Sequence, residues 1–120
     1  MDCNKGEAER SKIIAESMLE KQDVISARKF ALKAKKLYPE LHGLNHLLCI
    51  VDVHMAVHEK HRSGDINWYS VLQVDLNADE NSIKKQYRKL ALLLHPDKNK
   101  TFGAEAAFKY ISEGWNILSD

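Results

Sequence analysis

The sequence predicts an all-α protein, and three observations carry that expectation. Apolar residues recur at three- and four-residue intervals through most of the chain. Only two prolines and five glycines interrupt stretches rich in Ala, Leu, Lys and Glu, which favour helix. The period-two alternation of a half-buried strand is absent. The 120 residues, 44% hydrophobic and 29% charged, suffice for one ordinary domain or two small helical units with a modest core.

Three helices are predicted in the first half. Residues 7–22 place Ile14, Ala15, Met18 and Leu19 on one face, with Glu7, Glu9, Arg10, Lys12, Glu16 and Glu20 around them. Residues 24–38 repeat Ala27, Phe30, Ala31, Ala34, Leu37 and Tyr38 at helical spacing, leaving Lys29, Lys33 and Lys36 to water. Pro39 ends that helix, because the residue before proline is driven out of the helical region, and Gly43 permits the next turn. A third helix runs from Leu44 to about His58, with Leu44, Leu47, Leu48, Val51 and Met55 in register. The short connection at Gln22–Asp23 makes the first two helices antiparallel. Ala15, Ala27, Ala34 and Pro39 resemble the spacing of a tetratricopeptide hairpin, with Ser11 where a large aromatic is expected. A single such unit cannot bury its own apolar face, so the third helix should cover it.

The polar run His61-Arg62-Ser63-Gly64-Asp65 divides the chain into a module of residues 1–62 and a second unit of residues 63–120. A short apolar segment, Trp68 to Val74, opens the second unit. Asn77 and Glu80 then have capping-box spacing, and a helix follows from about Asp79 to Leu94. Its apolar stripe is Ile83, Tyr87, Leu90, Ala91 and Leu94, opposite the cations Lys84, Lys85, Arg88 and Lys89. Pro96 stops it. From Gly103 the period resumes through Ala104, Ala107, Phe108, Ile111, Trp115 and Leu118, which predicts an antiparallel hairpin.

Charge and composition narrow the function. Eighteen basic against 17 acidic residues give a net charge of +1, too little to draw the whole chain to a polyanion. Four clustered cations without base-reading polar groups argue against nucleic acid as a partner. The longest apolar run, Leu47 to Val57, contains Asp52 and His54, and residues 1–10 hold no apolar signal region. No membrane association is expected, and the cytoplasm or nucleus is the expected location, with Cys3 and Cys49 as reduced thiols. His54, His58 and His61 share helical spacing, yet acidic or thiolate partners at ligand spacing are missing, so no metal is expected.

The triplet His95-Pro96-Asp97 falls in the hairpin turn, directly after the basic helix face. Proline stiffens the turn, and an exposed carboxylate can accept a charge-assisted bond from a partner arginine. The basic face would steer an acidic surface into place. A nucleophile beside His95 and Asp97 is missing apart from Thr101, so no catalytic residues and no enzyme activity are expected.

Residues 66–120 resemble the J-domain of the DnaJ co-chaperones. The likeness rests on Trp68-Tyr69-Ser70-Val71-Leu72, Lys85-Gln86-Tyr87-Arg88-Lys89-Leu90-Ala91, His95-Pro96-Asp97-Lys98-Asn99, and Ala107-Phe108 through Ile111. With residues 1–57 included, the chain is similar to plant J-proteins that begin with a helical segment. The resemblance implies an N-terminal three-helix module followed by a J-domain, a short helix plus helical hairpin whose fourth helix is missing. It also implies docking on a DnaK-type heat-shock chaperone and stimulation of its ATP hydrolysis, without cofactor. Carried over by position, His95, Pro96 and Asp97 are the essential triplet, Lys84, Arg88 and Lys89 the helix-face contacts, and Tyr87 and Asn99 accessory contacts. Leu72, Leu90 and Phe108 match the structural core, and Lys85 and Lys98 are extra steering charges. Gln73 stands where the family usually has glycine. The front module is expected to act as a spacer or as a site for a client or adaptor protein. An adaptor without ATPase stimulation is the alternative reading of the whole chain.

Overall fold

The computed structural model describes residues 2–59, 64–95 and 97–119, and among these it contains six helices and no strand. They are α1 (Asp2–Glu20), α2 (Val24–Leu37), α3 (Leu44–His58), α4 (Trp68–Val71), α5 (Glu80–Leu94) and α6 (Ala104–Leu118). The division placed at residue 62 lies outside the described residues, as do His61 and Pro96.

Local chemistry sets most helix starts. Asp23 accepts from Ser26 N at 3.1 Å to cap α2, and Asn67 accepts from Tyr69 N at 3.1 Å to cap α4. The capping box expected at Asn77 and Glu80 does not form. Asp79 caps α5 by accepting from Ser82 N at 2.8 Å, because its carboxylate already sits at the one position from which it reaches the first free amides. That bond also holds the Asp79 carboxyl below the usual carboxylate range.

α1 and α2 form the expected antiparallel pair, with Ala15 and Leu19 inside and Met18 packed against the core as expected, but α1 begins earlier than its apolar stripe suggested and its buried face runs on through Ala8 and Ser11 instead of Ile14. Ala8, Ser11, Ala15 and Leu19 are buried, whereas Ile14 is 38% exposed. Opposite them lie Ala27, Ala31 and Ala34, also buried. Small side chains on both helices let the backbones approach closely, and bulky Ile14 is therefore turned away.

α3 occupies the centre. It packs on α1 and α2 and also on α4, α5 and α6, so the front module is no detached spacer. Besides Leu44, Leu47 and Val51, it buries Cys49, Ile50 and Val53 on a second side. A helix apolar on more than one face is an interior helix. One continuous cluster accordingly joins Ala15, Leu19 and Ala31 to Val71, Leu72, Leu90, Leu94 and Ile111. No helix among the described residues is long and apolar enough to cross a membrane.

Candidate partner-docking site

The site is built on the exposed side of α5 and the turn after it. Successive residues of a helix are about 100° apart, which places Lys84, Arg88, Ala91, Leu92 and His95 in one strip while Ile83, Leu90 and Leu94 turn to the core. Lys84, Lys85 and Arg88 are exposed as expected. Lys89 is exposed too, but it stands on the side toward α3, where its charge reaches Cys49 and favours that thiol's anionic form. It is thus peripheral to the strip in which the resemblance placed it.

Beyond Leu94 the chain turns sharply. His95 O accepts from both Lys98 N and Asn99 N at 2.9 Å, folding the turn back on the helix end. The His95 ring meets Phe108 of α6 edge-on, with centroids 5.5 Å apart. Its Nδ1 accepts from Asp97 N at 3.2 Å, so in the neutral ring the proton is on Nε2, facing away from that bond. The Asp97 carboxylate lies 3.8 Å from the same nitrogen and its side chain is 86% exposed. A fixed backbone thus presents a carboxylate to solvent with an imidazole behind it.

Asn99 does not belong to the exposed surface. It is 6% exposed, donates from Nδ2 to Leu93 O at 3.0 Å, and accepts at Oδ1 from Thr101 N at 3.0 Å. The first bond satisfies a carbonyl of the last helical turn, which has no partner within the helix. The Asn99 side chain braces the turn from inside and is not presented at the surface of the strip. Tyr87 is half-buried and stacks on Trp115 of α6, serving packing as well as the surface.

The strip also holds residues that motif reasoning passed over. Leu92 is 64% exposed, and with Tyr87, Arg88, Ala91, His95 and Phe108 it lines a shallow depression of about 540 Å³. Phe108, taken as core by the resemblance, contributes one side of it. The available signal was the position of Leu92, one turn beyond Arg88 on a basic face. Cations around an apolar floor suit a partner surface that is acidic at its rim and apolar at its centre. Among the described residues no group of three His, Cys, Asp or Glu side chains is placed to hold a metal ion.

Comparison with known proteins agrees with this geometry. Residues 67–120 match the DnaJ domain family. Across its whole length the chain is 33% identical to DnaJ homolog subfamily B member 14 of Xenopus laevis, covering 42% of that protein, so the front segment also has a counterpart in a vertebrate relative. Over 54 residues it is 50% identical to human DnaJ homolog subfamily B member 5 and 52% identical to the chaperone protein DnaJ of Methanosarcina thermophila. Each of these matches covers 45% of this chain, and they cover 16% and 14% of the relatives. The chain thus spans less than half the length of these curated relatives. No solved structure matches it significantly. With the His95–Asp97 turn beside a basic helix face and the matching family covering α4, α5 and α6, residues 67–120 of the chain are a DnaJ domain.

Proposed function

We propose that this chain is a co-chaperone that docks on a DnaK-type heat-shock chaperone and stimulates its ATP hydrolysis. The observation that carries the reading is the exposed Asp97 carboxylate, held over the His95 ring by backbone hydrogen bonds at the end of the basic strip. Lys84 and Arg88 steer an acidic partner surface, the Leu92 depression receives an apolar side chain, and Asp97 accepts from a partner cation. The bond that breaks belongs to the partner's nucleotide. This chain binds and contributes no reacting group or cofactor. We place its action in the cytoplasm or nucleus, and we assign client recognition to segments other than the docking strip.

The test is single-turnover ATP hydrolysis by a cytosolic DnaK-type chaperone with the wild-type chain or Asp97→Asn. The variant keeps size and removes charge, so stimulation should be lost while the melting temperature is retained. Full stimulation by the folded variant would remove the anchor. Absence of stimulation by the folded wild type would favour the adaptor reading.

A further inference from the structure

The turn that carries His95 and Asp97 is held at both ends, and its far end is held by the front module. Gly103, at φ +88°, immediately precedes α6. Its carbonyl accepts from Ala107 N at 2.9 Å within the helix and also from Nε2 of His54 on α3, at 3.0 Å. A carbonyl can only accept, so His54 carries its proton on Nε2. The same imidazole meets Tyr110 of α6 edge-on at 5.9 Å. The packing around the glycine is close. A β-carbon there would lie 3.1 Å from His54 Nε2, 3.2 Å from Ile50 Cγ2 and 3.2 Å from Leu19 Cδ2. Two helices of the front module therefore close around the residue at which the turn re-enters helix.

A line of hydrogen bonds leads back from this point. Ala104 N donates to Thr101 O at 3.1 Å, Thr101 N donates to Asn99 Oδ1, and Asn99 N donates to His95 O. Phe102 and Lys100 border an open groove of about 950 Å³ that His54 and Gly103 also line, and at Gly103 the module closes to contact distance.

We infer that His54 is a positioning residue for the His95–Asp97 turn, acting through Gly103, and that the front module thereby sets how well the docking site works. The inference rests on the proposed co-chaperone function for its activity readout and on nothing but the fold for its structural one. The contact is absent from the DnaJ-domain match itself, because His54 lies outside residues 67–120.

The experiment compares the whole chain with His54→Ala and His54→Gln by amide hydrogen exchange and by single-turnover ATP hydrolysis of a DnaK-type chaperone. In His54→Ala the amides of Asn99 and Thr101 should exchange at least threefold faster, while Leu90 and Ile111 stay protected. Maximal stimulation should fall at least threefold, with a smaller change in the half-saturating concentration because Lys84 and Arg88 are untouched. His54→Gln keeps a side-chain N–H donor and should recover most of both. If His54→Ala loosens Leu90 and Ile111 as well, His54→Leu, which fills the space without a donor, makes the same comparison. Unchanged exchange at Thr101, or faster exchange with undiminished stimulation, would overturn the inference. If the wild type gives no stimulation, the co-chaperone function fails, and the exchange comparison alone decides whether His54 holds the turn.

Discussion

The ring of Tyr87 lies almost parallel to that of Trp115, with centroids 5.5 Å apart and planes 9° from each other. This stack ties α5 to α6 on the side of the hairpin that borders the docking strip. Tyr87 therefore has two roles that one substitution would confound. Tyr87→Phe should keep the stack and the melting temperature, so any loss of stimulation reports the hydroxyl. Tyr87→Ala should cost about 2 kcal/mol in denaturant unfolding, less than for a fully buried aromatic because the side chain is only half-buried.

Asn99→Ala should damage the site without touching its surface. Leu93 O and Thr101 N would lose their partners in a part-buried position, at about 2 kcal/mol. Urea unfolding measures that loss. Stimulation by the folded fraction should fall as well, because the turn loses its internal brace.

Gln73 holds φ +58°, a left-handed conformation that costs a side-chain-bearing residue roughly 1 kcal/mol. Gln73→Gly should raise stability by about 0.5–1 kcal/mol, the gain being trimmed by the extra freedom of glycine in the unfolded chain. ATPase stimulation should stay unchanged, because Gln73 follows α4 and is not part of the strip lining the docking depression. A lower melting temperature would show that its side chain makes a compensating contact.

Burial, reinforced by the nearby Asp52 carboxylate, pushes the Cys49 thiol up from 9.0 to about 11. The fold thus favours the neutral thiol. Its contribution to stability is complete below the unfolded value and is lost as pH rises from about 9 through about 11. Cys49→Ala should consequently show a shallower fall in melting temperature over that window than the wild type. Parallel falls would mean that the thiol ionises no differently in the folded chain.

The turn and the basic face were legible before the fold because each depends on neighbours in sequence. The triplet at 95–97 follows a helix whose charge and apolar stripes are separated by simple periodicity, and α2, α3 and α5 lie close to where that periodicity put them. Tertiary choices were not legible in the same way. In α1 the apolar content of Ile14 suggested a buried face, but packing against Ala27, Ala31 and Ala34 rewards small residues, so Ala8 and Ser11 are inside. The resemblance put Asn99 among the accessory contacts, and its burial follows from the Leu93 carbonyl and the Thr101 amide that it satisfies, which periodicity does not reveal. His54 was weighed as a metal ligand for its helical spacing to His58 and set aside, and its actual acceptor, Gly103 O, left no local signal because it is 49 residues away in the chain.

Cys49, Ile50 and Val53 carried a signal that one-face reasoning on α3 set aside. A helix wet on one side would not have placed apolar residues outside the register of Leu44, Leu47 and Val51. Their burial joins both halves in one apolar cluster with α3 as its hub, so heat or denaturant should separate neither half before the other. The stretch that matches the DnaJ family is then shorter than the stretch that shares this core. A fragment trimmed to the family boundary would face water with surface that α3 covers in the intact protein.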